Sequence, residues 1–266
     1  MLTFLSFGSG SCGNCYYLTN GTDSLLIDAG IGIRRLKKNM MEYGIKMNIV
    51  RGLLITHDHA DHIKSAGSLS QEYKLPVYAT KLVFEGLNRS YMIKNKVDES
   101  QMNIIDPGER FDIGPFAITP FSLPHDSSEN VGYKIEVDGE VFTIMTDVGA
   151  VTDNVNKYIS ETNHLVIEAN YDLEMLRVGR YPEMLKDRIC SGTGHLANRQ
   201  TAEALAQNFH EHLKNVWLCH LSEENNHPEL ARKTIETILG SYGIIAGKDF
   251  QLEVLRRRIP TGPYSL

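Results

Sequence analysis

The sequence is most informative first through what it is short of. No stretch approaches the roughly 18 consecutive apolar residues of a membrane-spanning helix, which argues against an integral membrane protein. The N-terminus, MLTFLSFGSG, has neither the charged leader nor the long apolar run of a secretion signal. Cysteine is scarce: Cys12, Cys15, Cys190 and Cys219 are the only four in 266 residues, too few and too scattered for a disulfide framework. Basic charge is not in excess either. With 27 Lys and Arg against 33 Asp and Glu the net charge is −6, which argues against adhesion to nucleic acid through the whole surface but allows a local basic groove. No Pro/Ser-rich linker and no low-complexity run divides the chain. The expectation is a cytoplasmic protein with reduced thiols, folded as a single domain over residues 1–266.

What is present has the composition of an ordinary globular chain, 42% hydrophobic and 23% charged. Strands are expected at 2–7, 24–28, 50–55 and 76–79, then at 110–113, 116–122, 131–137, 141–146, 164–168, 215–219 and 250–255. Helices are expected at 31–43, 63–74, 80–89, 198–212 and 228–242, with mixed helix and loop over 175–186. Helices recur at intervals among the strands in both halves, so the fold class is α/β, with helices covering two sheets.

One segment carries most of the chemistry. Residues 56–62 read Thr-His-Asp-His-Ala-Asp-His, directly after the apolar run Val50–Ile55. Five metal-binding side chains thus arrive together in one turn at the end of a strand. Other strands end the same way: Phe121–Pro124 in His125, Thr143–Thr146 in Asp147, and Val216–Cys219 in His220. Cys190–Gly194 reaches His195 through glycines. A lone histidine is more often structural than a ligand, but four repeats of one placement beside a dense HxHxDH cluster favour a metal site. His164, His210, His212 and His227 fail the placement rule and are left out.

Counting donors gives two ions. His57, His59 and His125 serve one, Asp61, His62 and His220 the other, and Asp147 bridges with its two oxygens. Asp58 is the spacer, pointing away. Imidazole mixed with carboxylate suits Zn²⁺, Mn²⁺ or Fe²⁺ better than Mg²⁺ or Ca²⁺. Cys12-Gly13-Asn14-Cys15 has CxxC spacing but lies between a Gly/Ser turn and a strand, so a tight turn is favoured over a redox or metal role.

These residues resemble the metallo-β-lactamase superfamily: His57-x-His59-x-Asp61-His62, then His125, Asp147 and His220, with the strand-ending Asp28 of LLIDAG. The resemblance implies an αββα four-layer sandwich with metals at one edge of the sheets. Having both His62 and Asp147 differs from the zinc β-lactamases, and His59 in place of glutamate differs from the di-iron reductases. The site is similar to those of glyoxalase II and RNase Z. Gly8-Ser9-Gly10-Ser11-x-Gly13-Asn14, Val166–Asp172, Met175–Pro182, Gly194–Asn198 and His220–Asn226 resemble the YycJ/WalJ (VicX) group. Two departures, the cysteines of the glycine turn and Ala197 where serine is frequent, touch no expected ligand.

That resemblance implies a dinuclear phosphodiesterase, a DNA exonuclease acting 5′–3′ on duplex ends with a role in mismatch repair. A metal-bridging hydroxide would attack, Asp61 would orient it, and His195 would contact the scissile phosphate or protonate the leaving oxygen. Arg177, Arg180 and Asn14 are expected to bind substrate. Arg34–Lys38 and Arg256–Arg258 are candidates for a longer nucleic-acid track, although each run taken alone reads as solvated surface. The metal ligands by themselves leave open a thioesterase, a cyclic-phosphate phosphodiesterase, or a non-catalytic regulator of a two-component pathway. DNA versus RNA, polarity and strandedness stay open on the residues alone. Asp147 and His195 are too close in sequence to hold a β-CASP insert.

Overall fold

The computed structural model describes residues 1–266. Two seven-stranded sheets pack face to face. The first holds β1 (Thr3–Gly8), β2 (Cys15–Thr19), β3 (Ser24–Ile27), β4 (Val50–Leu54), β5 (Val77–Ala79) and β6 (Met102–Ile104) in that order, with β14 (Thr261–Ser265) beside β1. The second holds β7 (Phe111–Ile113), β8 (Phe116–Ser122), β9 (Val131–Val137), β10 (Glu140–Met145), β11 (His164–Glu168), β12 (Asn215–Cys219) and β13 (Gln251–Val254), also in order.

Residue alternation builds the layers. Along β11, Val166 faces the other sheet while Leu165 and Ile167 face helices, and along β12 Trp217 is flanked in the same way by Val216 and Leu218. The inter-sheet core holds Phe4, Tyr16, Phe142 and Trp217. Outside the first sheet lie α1 (Ile33–Glu42), α2 (Ala60–Ile63), α3 (Ala66–Tyr73) and α4 (Lys81–Arg89). Outside the second lie α5 (Asp153–Ser160), α8 (Asn198–Gln207) and α9 (Pro228–Ser241). This is the expected four-layer αββα sandwich. Two short helices, α6 (Leu173–Val178) and α7 (Glu183–Cys190), lie between β11 and α8 in the chain.

Strand direction places the site. β3 through β6 run parallel, as do β10 through β13. Two antiparallel steps make β8 run with β10 and β1 with β3. The C-terminal ends of β1, β3, β4, β8, β10, β11, β12 and β13 therefore collect at one edge, where open α/β sheets bind their ligands.

Some elements differ from expectation. The helix read over 63–74 is broken into α2 and α3, because Ser65 turns to bond Ile31 O through Oγ (2.5 Å) and Ala29 O through its N–H (2.8 Å). The helix read over 198–212 stops at Gln207: the Asn208 amide donates to Ala204 O (2.8 Å) and ends it, leaving His210 and His212 in the turn beyond. α5, β6 and β14 were not anticipated. The sequence of β14, TGPYS, contains a proline, and the strand pairs only with β1 at the sheet edge, where a missing N–H is tolerated.

Candidate metal centre

The cluster begins at β4. Thr56 N–H donates to Asp28 Oδ1 (2.9 Å) and Thr56 Oγ to Asp28 Oδ2 (2.9 Å), so the ends of β3 and β4 are locked together. The next turn packs so closely on the loop after β3 that a Cβ on Gly30 would lie 1.5 Å from Asp61 O. Ala29 N–H donates to His62 O (2.7 Å) and Asn14 N–H to Asp61 O (2.8 Å). These main-chain bonds give Gly30 of LLIDAG its purpose. They hold His57, His59, Asp61 and His62 at fixed positions over the sheet edge.

The other donors arrive from the second sheet. Asp147 and His220, like Asp28, have positive φ (56°, 52° and 57°), a conformation that costs free energy for residues other than glycine. Each sits where its strand turns sharply at the edge. Four sets of side chains bring donor atoms within 4.8 Å of one another: His57, His59 and His125; His57, His62 and Asp147; Asp61, His62 and His220; and Asp147, Glu168, His195 and His220. The first and third are the two ligand sets expected from sequence. Asp147 stands between them, Oδ2 at 3.1 Å from His62 Nε2, Oδ1 at 3.6 Å from His220 Nε2 and 3.7 Å from His125 Nε2.

The donor atoms fit divalent ions. Thr56 Oγ has one hydrogen, committed to Asp28, so at 3.0 Å it accepts the Nδ1 proton of His57. His57 Nε2 then carries a lone pair, is buried, and has no hydrogen-bond partner. A buried polar atom left so costs about 1–3 kcal/mol unless something occupies its lone pair. His62 is arranged alike: Nδ1 donates to the fully buried Asp28 (2.7 Å) and Nε2 faces Asp147. This carboxylate–imidazole pattern orients metal-ligating histidines. The chain thus binds divalent metal through His and Asp side chains of this edge.

Charge is balanced within the cluster. Burial presses His62 down, but Asp147, Asp28 and Asp61 outweigh it and bring its pKa to about 10. His220 is likewise lifted well above its ordinary value, against burial, by Asp147, Asp61 and Glu168. Burial and the neighbouring His62 hold His57 far down, so it stays neutral. Burial works against ionisation of Asp147, yet His220 and His62 keep it well below the usual carboxylate range. Metal binding releases the protons on such ligands.

Glu168 was missed as a site residue. It is fully buried at the end of β11. Its Oε1 accepts from His195 Nδ1 (2.8 Å) and His220 Nδ1 (3.2 Å), and its Oε2 from the backbone of Val148 (2.9 Å) and Leu196 (3.1 Å). One carboxylate therefore aims two imidazoles. The signal was available: Glu168 ends an apolar strand, the same placement that marked Asp147 and His220.

The remaining expected residues are placed as follows. His195 is 17% exposed at the side chain, its ring 5.1 Å from that of His125 and 5.5 Å from that of His220. Asn14 lies beneath the cluster rather than at its mouth. It is fully buried, its amide nitrogen 2.8 Å from His62 Nε2 and donating to Asp61 Oδ2 (3.3 Å). Arg177 and Arg180 are exposed on α6 and just after it, apart from the histidines. Asp58 turns away, accepting from Ser128 N (3.0 Å) and Ser128 Oγ (2.6 Å). All four cysteines are free thiols, and no helix is long and apolar enough to cross a membrane.

Comparison with known proteins accords with this geometry. The profile of the Beta-lactamase superfamily domain matches residues 24–213. The chain is 34% identical over 260 residues to the exodeoxyribonuclease YycJ of Bacillus anthracis, covering 98% of this chain and 97% of that one. It is 35% identical over 244 residues to the exodeoxyribonuclease WalJ of Streptococcus pneumoniae serotype 2, covering 92% and 90%. Among solved structures, the metallo-beta-lactamase fold protein YhfI from Bacillus subtilis superposes with a TM-score of 0.72 at 16% identity, covering 98% of this chain and 100% of that one. The short form of human tRNase Z gives 0.64 at 15% identity, covering all of both chains.

Proposed function

The chain belongs to the beta-lactamase superfamily, and from that premise we propose that it is a two-metal phosphodiesterase that degrades DNA from an end, its residues 1–266 acting as one metallohydrolase domain. The observation that carries this is similarity at about a third identity over 97% of a relative named an exodeoxyribonuclease. That similarity extends past the common metal motif into the segments carrying Glu168, His195 and Asn225. The ions would be Zn²⁺, Mn²⁺ or Fe²⁺; His57, His59 and His125 would hold one and Asp61, His62 and His220 the other, with Asp147 beside both sets. Bound there, they would supply Lewis acidity to the phosphodiester and lower the pKa of water.

The protein's own groups do the rest. Asp61 Oδ2 faces His220 and His62 at 3.4 and 3.6 Å, which leaves Oδ1 to accept a hydrogen bond from the attacking water and set its direction. Glu168 outweighs burial and raises the pKa of His195. With Nδ1 on Glu168, the imidazolium offers its Nε2 proton to the departing oxygen, general-acid assistance worth typically 10²–10⁴-fold. Asn14 positions Asp61 and His62 from below. Arg177 and Arg180 can hold flanking phosphates bidentately.

The test is digestion of end-labelled linear duplexes, beside closed circular DNA, linear RNA, bis(p-nitrophenyl) phosphate and a thioester, each with Zn²⁺ and Mn²⁺. Release of mononucleotides from linear DNA, lost in Asp61→Ala, is the expected result. Faster thioester hydrolysis with intact DNA would overturn the reading.

A further inference from the structure

The basic runs 34–38 and 256–258, more than two hundred residues apart in the chain, approach each other beside the metal centre. β13 is the strand next to β12, parallel to it, with Leu218 opposite Val254 and Leu255 N–H donating to Leu218 O (2.9 Å). His220 leaves β12 at the edge that carries the metal ligands. Leu255-Arg256-Arg257-Arg258 therefore leaves β13 at the same edge, one strand spacing of about 4.8 Å further along. Ser9 joins the two exits: its N–H donates to Arg256 O (3.2 Å) and its Oγ accepts from His220 N–H (3.0 Å). From α1, the Arg35 guanidinium donates to Arg258 O and to Phe7 O. Arg35 thus ties the start of α1 to the 256–258 turn, while Lys37 and Lys38 further along pair with Glu72 and Glu42.

A cleft of 290 Å³ opens at this turn, with Arg256, Arg257 and Arg258 in its wall beside Leu221, the residue after His220. Its one acidic lining residue, Glu223, accepts from Arg258 (2.8 Å). Arg257 is braced by Ser222 O (2.8 Å), and Arg256 is exposed. In a chain of net charge −6, gathering cations around a single carboxylate is unfavourable unless an anion relieves the repulsion. Guanidinium forks match phosphate oxygens bidentately.

We propose that this cleft and the adjoining start of α1 bind the phosphate backbone of the nucleic acid whose end lies in the metal centre. The proposal rests on the nuclease reading above and adds where the uncut part of the substrate runs. Arg256→Gln/Arg258→Gln in the metal-loaded enzyme tests it. KM for linear duplex DNA should rise about tenfold or more, and by at least that factor more than KM for bis(p-nitrophenyl) phosphate, which is too small to span the cleft. The slope of log KM against log salt should become shallower by roughly 0.9 for each phosphate the variant no longer neutralises.

If the wild type digests DNA and the variant keeps its KM and salt slope, the proposal fails and the nuclease reading stands. Equal losses on both substrates would make the turn a support of the centre and would also overturn it. So would lost binding to vesicles of anionic phospholipid with DNA binding, read by fluorescence anisotropy, unchanged. If the wild type binds DNA without digesting it and the variant binds less tightly, the nuclease reading fails and the binding surface stands. If the wild type neither binds nor digests DNA, both fail.

Discussion

Replacing Glu168 with glutamine changes one atom and should disturb both halves of the site. The carboxylate accepts from two imidazoles and, at 3.5 Å, the Asn170 amide on Oε1, and from two backbone N–H groups on Oε2. Backbone donors cannot change their chemistry, so the glutamine oxygen must face Val148 and Leu196. Its NH₂ then faces Nδ1 of His195 and of His220. Each imidazole has to present a lone pair there and move its proton to Nε2. For His220 that takes away the lone pair a metal needs. For His195 it removes the negative charge that favours the imidazolium. Loss of such a partner costs 10–100-fold in metal affinity, or about 1.4–2.7 kcal/mol at 1.36 kcal/mol per decade. Loss of the charged general acid adds its own factor of about 10² or more. We therefore expect a weakened second metal, measured by competition with a chromogenic chelator. We expect kcat/KM for bis(p-nitrophenyl) phosphate at saturating metal to fall by roughly 10² at the least. Circular dichroism establishes that the variant is folded. A folded Glu168→Gln protein with metal affinity and kcat/KM both within about twofold of wild type would refute the reasoning.

Other perturbations give separable outcomes. His195→Ala should lower turnover by about 10²–10⁴ while two ions per chain remain by atomic emission; a drop in metal content would place His195 among the ligands instead. Asp147→Asn should weaken both ions together, since its oxygens face both ligand sets, and isothermal titration showing one site untouched would remove it from the bridging position. Gly30→Ala should push the turn carrying Asp61 outward, destabilising the fold by about 1–3 kcal/mol and reducing metal occupancy; thermal denaturation at the wild-type midpoint would show that the loops can separate freely. Burial, opposed by Glu140, holds His164 below its ordinary 6.5, so as pH falls past that value the unfolded chain takes up a proton before the folded one and stability declines. His164→Asn should lose less stability than wild type between about pH 7 and pH 5, read by urea unfolding, and an equal loss in both would show that this residue does not contribute.

The sequence was legible where physics puts information in short windows. An apolar run of alternating faces followed by a polar donor marks a strand meeting the sheet edge, and that rule located His57, His125, Asp147 and His220 before any pairing was known. The helix of 198–212 was overrun because Phe209 continues the apolar pattern, whereas the Asn208 amide, which ends the helix, leaves no periodic trace. β14 was missed because an edge strand needs little β-propensity when β1 and the core residue Phe4 hold it in place. Glu168 was passed over for another reason. The count of donors for two ions was already full, and a carboxylate that serves histidines rather than metal has no place in that count. A centre built from imidazoles needs an acceptor behind each ring to set its tautomer. Five rings of this cluster have their Nδ1 held by oxygens: His57 by Thr56, His62 by Asp28, His125 by the Gly194 carbonyl, and His195 and His220 by Glu168. Asking which groups could fill that second role, after the ligands had been assigned, would have selected the two carboxylates at the ends of β3 and β11. Contacts such as Arg35 to Arg258 are different in kind. No window of sequence holds both partners, so that basic surface could be read only once the strand order had placed β13 beside β12.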